Sequence, residues 1–139
     1  MTTAGYSGTP LPAKLGIRPG TRLALLHAPA GFGAILGELP PGVEFVDPDD
    51  GDLDVAVLFV PNRAELERSF AAVAARLVPS GGLWVAWPKK ASGVPTDLTE
   101  NVARQVGLAA GLVDNKVCAI DATWSGLRFV YRVKDRPGS

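Results

Sequence analysis

The chain is poor in the residues from which catalytic and metal sites are most often assembled. Of its 139 residues one is cysteine, Cys118, and one is histidine, His27. A single cysteine excludes an internal disulfide, and the pair cannot furnish the usual Cys and His set of a zinc site, so no metal ligands are assigned. Cys118 reads as a small buried hydrophobe. Charge of one sign is also lacking. Fourteen Lys and Arg face fourteen Asp and Glu, a formal net charge of zero, so no whole-molecule field draws a polyanion or an acidic membrane surface. Neither nucleic acid nor membrane is an expected partner. No apolar run approaches the roughly 20 residues that cross a bilayer, and the first residues lack the basic-then-apolar order of a signal peptide. The cytoplasm is the expected setting.

Familiar catalytic motifs are missing as well. There is no Gly-x-Ser-x-Gly elbow, and Ser80-Gly81 and Ser125-Gly126 read as turns. The glycines of residues 31–33 are not followed by Gly-Lys-Ser or Gly-Lys-Thr, so they make no phosphate loop. Residues 47–54 are acidic but fail the spacing of a calcium loop: with Gly51 as the required glycine, the first position is Val46, the third Pro48 and the twelfth Val57. That run reads as a solvated turn. No catalytic residue is assigned on this basis.

What is present is a single domain spanning residues 1–139, long enough to bury roughly two thirds of its unfolded surface. The ends, residues 1–8 and 135–139, are small and polar and are expected to be loosely held. Residues 79–97 organise the rest. Gly81 and Gly82 suit a helix-to-strand turn, residues 83–87 (Leu-Trp-Val-Ala-Trp) are apolar on both faces as in a strand covered on both sides, and Pro88 stops it. Trp84 and Trp87 point to opposite faces and read as core. Ligands of open α/β sheets bind where strands end, which places Lys89, Lys90 and Ser92 as candidate contacts to an anionic substrate. A solvated lysine pair is the plainer alternative.

In chain order, Thr9-Pro10 caps a short helix through Leu15 that Gly16 ends. Residues 22–27 form a first buried strand, and Gly37 limits any helix after residues 28–33. Residues 43–46 are a short second strand, and residues 53–60, apolar on both faces, are a central third. Asn62 with Glu65 three residues on forms a capping box for a helix carrying Leu66, Phe70, Val73 and Leu77. Thr96 or Thr99 caps a further helix with Leu98, Val102 and Val106, ending near Gly111. Residues 116–121 are a fifth strand, residues 124–126 a turn, and residues 127–133 a sixth strand, antiparallel to the fifth because the turn is short. This is a three-layer α/β domain with a mostly parallel sheet of about six strands and a C-terminal antiparallel hairpin. The joint of about six residues between the second and third strands is too short for a crossover helix.

With those elements placed, the chain resembles the Rossmann-like fold of S-adenosylmethionine-dependent methyltransferases over residues 15–133. Leu15-Gly16-Ile17-Arg18-Pro19-Gly20-Thr21-Arg22 is similar to the lead-in to that fold's first strand, and Leu77-Val78-Pro79-Ser80-Gly81-Gly82-Leu83 to its Pro-Gly-Gly turn. Tyr6-Ser7-Gly8-Thr9-Pro10, Trp87-Pro88-Lys89-Lys90 and Trp124-Ser125-Gly126 more closely resemble an uncharacterised bacterial family, a domain of unknown function, which implies no activity. The methyltransferase resemblance implies S-adenosylmethionine as cofactor and a site at His27, Gly31, Phe32, Gly33, Asp47 and Asn62, with Asp47 in the place of the acid that holds the ribose hydroxyls. It also implies the strand order second, first, third, fourth, sixth, fifth. The sequence departs from that family's pattern in two places. Leu23-Ala24-Leu25-Leu26-His27 lacks the family's acid late in the first strand, and the segment with the next strand and the adenine-side contacts is missing. Two readings follow: a non-catalytic or cryptic binding domain, or a small enzyme that binds S-adenosylmethionine or another nucleotide and acts on an anionic small molecule. The missing segment bares a sheet edge, which a homodimer would cover. A plain strand-end role, bonded to backbone, competes with any site role for His27.

Overall fold

The computed structural model describes residues 10–47 and 49–132. Thr9, the rest of the Tyr6-Ser7-Gly8 motif, Pro48, Val133 and the two ends lie outside the described residues. Six strands form one sheet: β1 (Arg22–Leu26), β2 (Glu44–Phe45), β3 (Leu53–Phe59), β4 (Leu77–Pro88), β5 (Leu112–Ala119) and β6 (Trp124–Tyr131). Their order is β2-β1-β3-β4-β6-β5, as the resemblance implied. β1 to β4 are parallel, and β6 runs antiparallel to both β4 and β5.

Alternation along the central strands builds two cores. Ala56 and Leu58 of β3, with Leu83, Val85 and Trp87 of β4, face α3 (Arg63–Ala74) and α4 (Glu100–Ala109). Val55, Val57 and Phe59, with Trp84 and Ala86, face the other way, toward α1 (Leu11–Lys14), α2 (Phe32–Leu36) and the turn after α1. Trp84 and Trp87 accordingly lie in different cores, both buried. Helix ends follow local chemistry. Asn62 Oδ1 accepts from the Glu65 N–H at 2.9 Å, but the Glu65 carboxylate pairs with Arg68 at 3.0 Å, so the expected capping box is half made. Of the two threonines, Thr99 caps α4 by accepting from the Val102 N–H, while Thr96 donates to the Pro61 carbonyl.

The short joint has a simple geometry. β2 is two residues long and pairs only with Arg22 and Leu23, at the amino end of β1. The chain therefore has to return across two strand spacings, about 10 Å, with almost no climb along the sheet to undo. Among the described residues between β2 and β3 none is helical.

Four local readings need correction. The Gly81-Gly82 pair is not a turn: β4 begins at Leu77, and the pairing jumps from Leu53 opposite Leu77 to Val55 opposite Gly82, so the intervening residues bulge. Neither glycine has a positive φ. A Cβ on Gly81 would sit 3.0 Å from the Asp54 carbonyl, and one on Gly82 would overlap the Arg128 guanidinium, so close approach explains them. Trp124-Ser125-Gly126 is likewise strand, paired with residues 86–88. The turn falls at residues 121–123, where Asp121 Oδ1 accepts from the N–H groups of Thr123 and Trp124 at 2.8 and 2.7 Å. β5 starts at Leu112, earlier than the polar residues 114–116 suggest, with an irregularity between Asp114 and Lys116 that leaves Asp114 to accept from Arg104. Cys118 is half-buried on this edge strand, not enclosed.

Candidate functional site

Because β1, β3 and β4 are parallel, their carboxyl ends emerge on one edge of the sheet, where antiparallel β6 begins opposite Pro88. His27 follows the last residue of β1 and has φ 58°, and it is the one non-glycine residue with positive φ among the described residues. Such a conformation is strained for a residue with a Cβ, and strain of this kind collects at ligand sites. His27 lines a cavity of about 370 Å³ with Phe59, Pro61, Glu65 and Trp124. The floor is aromatic: Phe59 meets Phe32 edge-on at 4.9 Å and Trp124 edge-on at 5.1 Å. Glu65 supplies the cavity's carboxylate.

The other expected residues are arranged around this edge unevenly. Gly31, with φ 85°, is the N-cap of α2, and Gly33 lies within it. Phe32 is 2% exposed and belongs to the core beneath the cavity. Asn62 follows Pro61 and uses its side chain to cap α3. β2 ends beside Leu23, four residues before His27 in the chain, and Asp47 Oδ1 accepts from the Asp49 N–H at 2.9 Å. Lys89, Lys90 and Ser92 follow β4 along the same edge but do not line the cavity. The Lys89 N–H donates to the Thr123 carbonyl, and the Ser92 hydroxyl donates to the Lys89 carbonyl at 2.7 Å.

Phe59 escaped sequence reading because a strand-end aromatic looks like core, Pro61 because it reads as a strand stop, and Trp124 because it looked like a turn. Among the described residues no three His, Cys, Asp or Glu side chains are placed to share a metal ion. Burial pushes the pKa of the Cys118 thiol up, with Lys14, Lys116 and Lys89 acting in the opposite direction. No described helix is long and apolar enough to cross a membrane.

No protein-family model matches the chain, and no curated sequence is significantly similar to it. Solved structures are. The precorrin-6y C5,15-methyltransferase of Geobacter metallireducens is similar with a TM-score of 0.62 at 12% identity, over 95% of this chain and 94% of that one. The ribosomal protein L11 methylase of Lactobacillus delbrueckii subsp. bulgaricus gives 0.60 at 12% identity, over 88% and 75%. Magnesium protoporphyrin IX methyltransferase of Synechocystis PCC 6803, with bound SAM, gives 0.56 at 12% identity, over 88% and 74%. At such identities the likeness is one of architecture, and the architecture is that of a shortened, Rossmann-like methyltransferase fold.

Proposed function

We propose that the chain is a non-catalytic binding domain that takes a small adenosyl ligand, S-adenosylmethionine or S-adenosylhomocysteine, in the cavity beside His27 without transferring a methyl group. The observation that carries this reading is the cavity itself: an aromatic floor and one carboxylate at the carboxyl edge of the sheet, beneath a strained histidine. Its volume lies in the range of small-molecule sites. Aromatic faces suit a flat base or a sulfonium cation, with the second oxygen of Glu65, whose first pairs with Arg68, beside them, and one structural neighbour carries SAM. The loop around Gly31 would let backbone approach the ligand. Against catalysis stand the missing acid at the end of β1 and the end of β2 beside Leu23, four residues before His27, which weaken the hold that methyl transfer needs on its ligand.

A second reading, methyl transfer to an anionic small molecule, draws on Lys89 and Lys90 standing on the same edge as Trp124. Titration calorimetry with both ligands, followed by incubation with methyl-labelled S-adenosylmethionine and small-molecule extract, separates the readings. Saturable binding of unit stoichiometry without label transfer is expected. Transfer of label would replace this reading by the enzyme, and flat traces from folded protein would overturn both. We place the domain in the cytoplasm, and we assign it a homodimer through the β2 edge, where Phe45 is 62% exposed. A strict monomer by light scattering at high concentration would overturn the dimer.

A further inference from the structure

At the opposite edge of the sheet from His27, on the face covered by α1, lies a cleft of about 500 Å³. Its walls come from the segment between α1 and β1, the first residues of β3, the bulge of β4, and β5 and β6. Four lining side chains are cationic: Lys14, Arg18, Lys116 and Arg128. The acid in the lining, Asp54, is held by Arg22, accepting from its backbone N–H at 2.8 Å and from Nε and Nη2 at 3.1 and 3.2 Å. In a chain of zero net charge, such a gathering is a product of the fold.

Two features show that the cations are set in place rather than scattered. Lys116 stands directly opposite Arg128 in the β5–β6 ladder, so the pairing of the two strands holds both residues at the same level of the hairpin. The Arg128 guanidinium lies against the backbone of β4 because Gly82 has no Cβ to occupy that space. A planar guanidinium seated before its ligand arrives loses less freedom on binding, and its fork matches the oxygens of a phosphate. The bulge that brings Ser80 to the mouth adds a hydroxyl donor.

We propose that this cleft binds a phosphorylated small molecule, with Arg128 and Lys116 gripping phosphate oxygens from the sheet and Arg18 and Lys14 closing on them from the α1 side. A nucleic acid would need a basic track extending along the surface, which balanced charge does not favour. The inference is independent of the His27 cavity.

Inorganic pyrophosphate is the probe, titrated calorimetrically into the full chain at low salt. Saturable binding with unit stoichiometry is expected, weakened about tenfold or more in Lys116→Ala and in Arg18→Ala, since each removes a charge-assisted contact. Both residues are exposed, and circular dichroism checks that both variants keep their fold. His27→Ala should bind pyrophosphate as the wild type does, so this result stands or falls apart from the adenosyl titration. Three outcomes would overturn the proposal: no heat up to about 10 mM pyrophosphate, where any charge-assisted site should have filled; equal affinity in the variants, marking an adventitious ion; or displacement of pyrophosphate by single-stranded oligonucleotides with affinity rising with length, marking a nucleic-acid surface instead.

Discussion

The two ends of the parallel sheet differ in the chemistry they offer. At the carboxyl edge, where this fold leads one to look, the walls are Phe59, Pro61 and Trp124, with one carboxylate and one imidazole. At the amino edge the walls carry four cations around a larger space. The carboxyl edge departs from the pattern that the methyltransferase resemblance implies: β1 ends without an acid, and β2 stops beside Leu23, four residues before His27. The comparison teaches that a fold places an edge, while the side chains decide which edge has the means to hold a ligand of a given charge.

Trp84 ties the two ends together, so its loss should disturb both most. Its indole is fully buried, packs in the same core as Phe59, and donates to the Leu15 carbonyl at 2.9 Å, fixing the turn that carries Gly16 and Arg18. Trp84→Ala should cost about 3–5 kcal/mol in urea unfolding, by the usual penalty for emptying an aromatic site; a cost below about 1 kcal/mol would show that the cores adapt.

The amino edge should respond to acid through Asp54. Burial raises its pKa, but the side-chain and backbone hydrogen bonds from Arg22 and the guanidinium charge outweigh this and leave it lowered. A carboxylate with a depressed folded pKa contributes stability above its unfolded pKa, near 4, and loses it as pH falls through the folded value. Asp54→Asn should therefore be less stable than wild type at neutral pH, with the difference shrinking below about pH 4. A pH-independent difference would remove this pair from the acid limb.

The carboxyl edge should respond oppositely to a loosening change. His27→Gly relieves the left-handed backbone and should raise stability by about 0.5–1 kcal/mol after the greater freedom of glycine in the unfolded chain is subtracted. A loss of stability instead would mean that the imidazole makes contacts worth more than the strain. Smallest is the effect at the cross-strand pair: Lys116→Ala should stabilise by a few tenths of a kcal/mol at low salt and by nothing at high salt.

Much of the fold was legible because its signals are local or periodic. Residues 53–60 are apolar on both faces, and a strand of that kind belongs in the middle of a sheet, where β3 sits. Asn62 and Thr99 cap helices through their own side chains, chemistry visible at a spacing of three. The strand order came through resemblance, since no local pattern encodes it. What was misread depends on distant partners. Gly81 and Gly82 looked like turn residues, but their reason is the backbone of β3 and the side chain of Arg128. Trp124-Ser125-Gly126 looked like a turn because Asp121, three residues earlier, does the turning. The cationic cleft was invisible for the same reason: residues 14, 18, 116 and 128 meet only after β5 and β6 fold back beside β4.

The most direct test of the central claim, that the carboxyl edge is a working site, is an amide and indole nitrogen–proton NMR titration with S-adenosylhomocysteine. Saturable shifts are expected at the Trp124 indole and the amides of His27, Gly31 and Glu65, with Arg18 and Lys116 unmoved. Shifts confined to Arg18, Lys116 and their neighbours, or none anywhere, would contradict it and leave the carboxyl edge a structural remnant of the fold.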